Sequence, residues 1–122
     1  MIINGHKLPD SANVLGQEYK IVYECEDENI RLKDADGYLE SYAKEIHIDK
    51  SIFEQDNNDP LQMKNLDIYG RKVIRHEIIH AFILESGLWE CCDWARNEEL
   101  TDWLARQFPK IKDCFEKIGI DK

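Results

Sequence analysis

The sequence lacks long apolar runs and has no excess of basic residues. No stretch of about 18 consecutive apolar residues occurs, so no membrane-spanning helix is predicted. Lysine and arginine number 16 against 25 aspartates and glutamates, a net charge of -9 that disfavours contact with nucleic-acid phosphates. Residues 1–10 carry neither the basic segment nor the apolar core of a signal peptide. We therefore expect a cytoplasmic protein with no membrane and no nucleic-acid partner.

Cysteine is scarce and forms no CxxC pair. Without a secretion signal, the four cysteines are predicted to be reduced thiols and not a disulfide framework. Two of them are adjacent, and neighbouring residues seldom both reach one metal ion in good tetrahedral geometry. Free thiols are therefore expected at Cys25, Cys91, Cys92 and Cys114.

The first half of the chain is predicted to form strands and turns. Residues 19–25 mix β-branched and aromatic side chains, and Glu45–Asp49 alternates Ile46 and Ile48 with polar residues, which makes it the clearest strand. A short strand or connector is expected at 30–33. Turns are predicted at Asn4-Gly5, at 26–29, at 34–37 with Gly37 as the permissive residue, and at 56–60.

The second half is predicted to be helical. Apolar residues at helical spacing extend from Leu61 to about Ser86, surround the helix almost completely, and stop before Gly87. A further helix is expected from about 92–97 to Phe108, with a break or kink at Pro109. Its apolar stripe, which is expected to pack into the core, consists of Leu100, Trp103, Leu104 and Ile111. With 43% hydrophobic residues, the 122-residue chain is predicted to be one α+β domain spanning 1–122.

The central helix contains the sequence His76-Glu77-Ile78-Ile79-His80, an HExxH pattern. The two histidines lie one helical turn apart, so both imidazoles can reach a single zinc ion. Glu77 is rotated by one residue, where its carboxylate can act as general base toward a water at the ion without being a ligand. The alternative is a pair of hydrogen-bonded core histidines, but three ionisable groups in the most apolar helix would then be expensive to bury.

A catalytic zinc site needs a third protein ligand, with one position left open for water. Position 86 is a serine, which excludes the third histidine of a metzincin. Glu85 is too near His80 in sequence to fold back comfortably onto the metal. The acidic residues downstream of the motif are Glu85, Glu90, Asp93, Glu98, Glu99 and Asp102.

The segment Asn97-Glu98-x-x-Thr101-Asp102 resembles the NExxSD element of thermolysin-like gluzincins, with threonine in place of serine. The resemblance implies that Glu98 is the third ligand and that Asp102 orients His76 by accepting its other ring N–H. Glu99 remains a competitor for the ligand role. Without the histidine motif, Glu98 would be interpreted as a solvated carboxylate and Asp102 as an i,i+4 partner of Arg106.

Residues 35–112 as a whole resemble small phage and prophage proteins related to the ImmA/IrrE metallopeptidases. The segments concerned are Asp36-Gly-Tyr38, Lys44-Glu-Ile-His-Ile48, Arg75-His-Glu-Ile-Ile-His-Ala-Phe82 with Glu85-Ser-Gly87, and Asn97-Glu-Glu-Leu-Thr-Asp-Trp103 with Pro109-Lys-Ile111. This resemblance implies a minimal zincin, in which a small N-terminal sheet packs on the HExxH helix and a following helix. It also implies one zinc per chain. Relatives that cleave repressors usually have an additional domain, and none is expected in this chain.

The function expected from the motif and the resemblance is zinc-dependent cleavage of a cytoplasmic protein or peptide, encoded by a phage or mobile element. Glu45–Asp49 is predicted to be an edge strand that pairs with an extended substrate. The alternative is a non-catalytic, zinc-stabilised phage assembly or regulatory module. Peptidases usually have an additional donor to the oxyanion, and the candidates are Tyr38, Tyr42, His47 and Tyr69.

Overall fold

The computed structural model describes residues 1–54 and 66–122, and in these residues the chain is an α+β protein with two sheets and three α-helices. The strands are β1 (Ile2–Ile3), β2 (His6–Lys7), β3 (Ser11–Val14), β4 (Gln17–Glu24), β5 (Gly37–Glu40) and β6 (Glu45–Asp49). The helices are α1 (Leu66–Glu85), α2 (Leu88–Cys91) and α3 (Glu98–Lys117). The turn expected at 56–60 and the helix start expected at Leu61 lie outside the described residues. None of the described helices is long and apolar enough to cross a membrane.

Two short hairpins begin the chain. Strands β1 and β2 pair on either side of the predicted turn, where Asn4 and Gly5 have φ of 49° and 83°. Strands β3 and β4 pair around Leu15 and Gly16, with φ of 52° and 89°. Two consecutive residues at positive φ favour a tight hairpin, because they match the twist of the flanking strands. Strand β3 was not predicted, since four residues are too few for an alternation of apolar and polar side chains to stand out.

The larger sheet has the strand order β3-β4-β6-β5, with β6 parallel to β4 and antiparallel to β5. Ile46 and Ile48 are fully buried, so the predicted alternation along β6 is confirmed. The prediction that β6 is an edge strand is wrong. It lies between two other strands because the distant β4 pairs with it, and in the described part of the chain β5 forms this edge of the sheet.

Helix α1 packs against β3, β5 and β6 and against the 3₁₀ turn Lys50–Phe53. Its buried residues include Val73, Ile74 and Ala81, but Ile68 is 65% exposed and Phe82 is 42% exposed. The prediction of a helix buried on all sides is therefore wrong in part, because the sheet and α3 do not enclose these two side chains. Residues 30–32 form a 3₁₀ turn, so of the two predicted alternatives this segment is a connector and not a strand.

Helix α3 begins at Glu98, and the side chain of Asn97 caps it by accepting a hydrogen bond from the Leu100 N–H at 2.7 Å. Its buried face consists of Thr101 and Ala105, two small residues that let α3 approach α1 closely. The predicted core stripe is wrong in part, since Leu100 is 43% exposed and Trp103 is 55% exposed. Leu100 and Trp103 lie outside the contact with α1, because the small residues Thr101 and Ala105 occupy it.

Pro109 lies inside α3, which continues to Lys117 in place of the break predicted after Phe108. Proline has no N–H, so the carbonyl of Ala105 loses its normal helical donor. Arg75 of α1 replaces that donor, since its Nε–H donates to the Ala105 oxygen at 2.8 Å. The hydrogen bond from Arg75, the residue before the histidine motif, therefore both compensates for Pro109 within α3 and joins α3 to α1.

Replacing Arg75 with methionine is expected to lower the free energy of unfolding by about 1–3 kcal/mol, because it leaves the buried Ala105 carbonyl without a donor. In a Pro109→Ala background the restored N–H supplies that donor. The cost of Arg75→Met should then be smaller, and urea denaturation of the four proteins of this double-mutant cycle measures the difference. If Arg75→Met lowered the free energy of unfolding equally in both backgrounds, Arg75 would not be the donor that replaces the missing N–H of Pro109.

Candidate metal centre

Helices α1 and α3 bring three predicted metal ligands together. His76 and His80 lie one turn apart on α1, and Glu98 is the first residue of α3. Oε2 of Glu98 lies 2.9 Å from Nε2 of His76 and 3.3 Å from Nε2 of His80. The two Nε2 atoms are 3.1 Å apart.

These separations fit a common ion. Zinc bonds of 2.0–2.1 Å at tetrahedral angles separate ligand atoms by about 3.3 Å. In the described part of the chain, His76, His80 and Glu98 form the group that could hold a metal ion. Glu99 does not belong to this group, although it lies next to Glu98 on the same helix. The geometry therefore distinguishes the two carboxylates that the sequence analysis left as competitors.

Asp102 lies behind His76. Its Oδ1 is 3.3 Å from Nδ1 of His76 and accepts a hydrogen bond from Lys72 Nζ at 2.8 Å. Its Oδ2 accepts from Arg106 Nε at 2.8 Å. The Lys72 ammonium, helped by Arg106, holds the pKa of the Asp102 carboxyl well below its usual range. An ionised Asp102 favours the His76 tautomer that has its proton on Nδ1, which leaves the Nε2 lone pair free to bind a metal.

His80 is the most enclosed of the three residues, with a side chain 8% exposed. Burial lowers the pKa of its imidazole, so the neutral, metal-binding form is favoured. The Trp89 ring meets it edge-on, with the ring centroids 6.2 Å apart. In the described part of the chain, Nδ1 of His80 is buried without a hydrogen-bond partner. A metal bond at Nε2 would offset part of the cost of burying this imidazole, although it would not supply a partner for Nδ1.

Glu77 is 6% exposed and lines the same cleft as the two histidines. Burial, together with the negative charge of Glu98, raises the pKa of its carboxyl to about 7. Its Cγ lies only 3.3 Å from the point where a Cβ on Gly37 would be. Gly37 was predicted to be a turn residue, but it is the first residue of β5 and its φ is not positive. The absence of a side chain at this position makes room for Glu77.

The cleft has a volume of about 860 Å³ and lies between α1, α2, the start of α3 and strand β5. The Asp49 N–H donates to the Asp36 carbonyl across the β5–β6 pair. By the alternation of antiparallel ladders, the N–H and C=O groups of Gly37 and Leu39 therefore point away from β6. Strand β5, whose residues line the cleft, thus presents outward-pointing backbone donors and acceptors at its open edge.

The four candidates for an additional oxyanion donor lie in different places. His47 lies on the sheet face opposite Ile46 and Ile48, with its Nδ1 2.5 Å from a Glu24 oxygen. The ring of Tyr38 stacks on His47 at 4.7 Å. Tyr42 lines the cleft and is fully exposed.

Tyr69, the fourth candidate, also lines the cleft, and its hydroxyl donates to Asp36. Burial, helped by this hydrogen bond, raises the pKa of Tyr69 to about 12. Tyr38, Tyr42 and Tyr69 therefore all line the cleft, and the Tyr38 hydroxyl accepts a hydrogen bond from the Asn29 amide at 2.7 Å.

Two residues of the site escaped the sequence analysis. Lys72 lies one turn before His76, a spacing that puts it on the same helical face, but the HExxH pattern does not include it. Gly37 was noticed only as a turn residue. Both lie against charged groups of the site, Lys72 against Asp102 and Gly37 against Glu77.

No family model matches the sequence, and the searches of curated proteins and of solved structures find no match either.

Proposed function

We propose that the protein is a zinc-dependent endopeptidase that cleaves an extended segment of a protein in the cytoplasm of a bacterium or phage-infected cell. The observation that carries the proposal is the convergence of His76, His80 and Glu98 beside the buried Glu77. Two imidazoles and one carboxylate are the protein ligands of catalytic zinc sites that keep a fourth position open. The zincin-like architecture and the phage origin belong to the same proposal and draw on the sequence resemblance.

Each residue of the cleft has a role in this reaction. His76, His80 and Glu98 hold the ion, and Asp102 fixes the tautomer of His76. Zinc held there supplies a Lewis acid for the peptide carbonyl and for the attacking water. Glu77 accepts the proton of that water and passes it to the leaving amine. Its position inside the cleft, and not among the ligands, suits a general base.

Strand β5 is the surface on which an extended substrate can align. The outward backbone groups of Gly37 and Leu39 can pair with a peptide strand, so recognition depends mainly on main-chain hydrogen bonds. Such a strand would pass Glu77, whose Cγ packs against Gly37. This assignment replaces the earlier expectation that Glu45–Asp49 pairs with the substrate.

The proposal is tested with the purified chain loaded with one equivalent of zinc and a library of peptides from a digested bacterial proteome. New peptide termini are expected, and they should disappear on chelation and return when zinc is added back. Mass spectrometry identifies the termini and samples many sequences at once. A zinc-loaded chain that binds the metal tightly but produces no new termini would instead support the non-catalytic, zinc-stabilised module.

A further inference from the structure

Two adjacent cysteines lie in the segment of the chain that connects α1 to α3, the two helices that carry the candidate ligands. Cys91 is the last residue of α2 and Cys92 follows it, and their Sγ atoms are 3.3 Å apart. Cys91 is exposed and Cys92 is half-buried. Elsewhere, the Cys25 thiol donates to Glu28 at 3.1 Å, and Cys114 is exposed on α3. The chain thus has one pair of thiols within reach of each other and two single thiols that serve as internal controls.

We propose that Cys91 and Cys92 form a redox modification site, at which a small disulfide such as oxidised glutathione converts the dithiol into a disulfide between the two adjacent residues. In the first step the Cys91 thiolate attacks the small disulfide, forms a mixed disulfide and releases one glutathione thiol. In the second step Cys92 attacks the Cys91 sulfur and releases the second glutathione thiol. The protein loses two protons and two electrons, which reduce oxidised glutathione to two thiols.

Exposure and hydrogen bonding determine which of the two thiols reacts first with the small disulfide. The hydrogen bond between them, together with burial, raises the pKa of the Cys92 thiol. Cys91 is the more exposed of the two residues, so its thiol meets the oxidant first. Cys92 then lies within 3.3 Å of the mixed disulfide that it has to resolve. Ring closure is therefore favoured over a lasting glutathione adduct.

The resulting disulfide is expected to be easily reduced. Adjacent Cα atoms are about 3.8 Å apart, closer than the 4.4–6.8 Å of most disulfides. The bond is therefore strained, and strained, exposed disulfides are the reversible ones. Such a bond would be broken again under the reducing conditions of a cytoplasm, so it would form only during oxidation.

The position of the pair connects its oxidation to the candidate metal centre. The Cys92 N–H donates to Leu88 at the other end of α2, and the Cys92 carbonyl accepts from Ala95 in the following 3₁₀ turn. Trp89 lies between Leu88 and Cys92 in the sequence, and its ring meets His80 edge-on. Shortening the Sγ separation to about 2.05 Å changes the backbone at this point and hence the position of Trp89. This consequence rests on the proposed function, whereas the oxidation itself does not.

The test is oxidation of the folded chain with glutathione disulfide, followed by alkylation of free thiols and mass spectrometry. In the parent protein, Cys91 and Cys92 should become resistant to alkylation, and the peptide that contains them should be two hydrogens lighter and carry no glutathione. A Cys25→Ser/Cys114→Ser variant should behave in the same way. Cys92→Ser should instead retain glutathione on Cys91. Free Cys91 and Cys92 thiols after the treatment, or a lasting glutathione adduct on Cys91 of the parent, would overturn the proposal.

A second reagent tests the pair without oxidation. Phenylarsine oxide bridges two neighbouring thiols, so it should protect Cys91 and Cys92 of the parent from alkylation while Cys25 and Cys114 still react. No protection of the pair would contradict the 3.3 Å approach even if a serine variant were to fold poorly. Zinc titration of the reduced and oxidised parent then measures the effect on the metal centre separately. We expect weaker zinc binding after oxidation, and no such change in Cys92→Ser.

Discussion

Replacing Glu98 with alanine is expected to weaken zinc binding by about a hundredfold, whereas Glu99→Ala should leave it unchanged. A structural zinc held by four ligands contributes about 10–16 kcal/mol, or about 3 kcal/mol per ligand, and 1.36 kcal/mol is a factor of ten. Glu98 approaches both Nε2 atoms to within 3.3 Å, whereas Glu99 does not belong to the group that could hold a metal. The two variants remove the same charge from adjacent positions, so they separate ligation from general electrostatic attraction.

Competition with a chromophoric chelator measures the zinc affinity of each variant, and circular dichroism checks that each is folded. The Glu98 side chain is 69% exposed, so its loss should disturb the packing of α3 little. His80→Ala provides the reference for complete loss of a ligand. If Glu98→Ala bound zinc as tightly as the parent, or if Glu99→Ala bound it as weakly as His80→Ala, the third ligand would be assigned wrongly.

Local patterns predicted the elements that carry the site. The HExxH spacing placed two histidines on one face of a helix, and α1 contains both of them at that spacing. The resemblance around Asn97 to Asp102 pointed to Glu98, which the structure brings to the histidines. These predictions depend on helical periodicity and on motif spacing, which are properties of short segments.

Long-range pairing and close helix packing could not be predicted in the same way. Strand β6 becomes a central strand because β4, more than twenty residues earlier, pairs with it in parallel. The apolar stripe of α3 suggested the core face, but the small residues Thr101 and Ala105 form the contact with α1. The hydrogen bond from Arg75 that accommodates Pro109 joins two helices. Each of these features depends on residues that are far apart in the sequence.

Glu77→Gln is expected to retain zinc and to lose peptide cleavage by a factor of about 10² to 10⁴, the range for removal of a general base. Glutamine has nearly the same shape, so it can occupy the space beside Gly37 without a new contact. Its amide cannot accept the proton of the attacking water. Because Glu77 is not in the group that could hold a metal, the ion should bind as in the parent.

Glu90→Gln is the matched control for this variant, because Glu90 lines the same cleft but is exposed on the short helix α2. Both substitutions replace a carboxyl group of the cleft with an amide, so a general effect of losing an acidic group on substrate binding would lower cleavage in both. Only Glu77→Gln removes a carboxylate that is buried next to the histidines. Equal activity of the two variants would therefore argue against proton transfer by Glu77. An inactive Glu77→Gln chain that retains zinc could instead be used to trap the substrate.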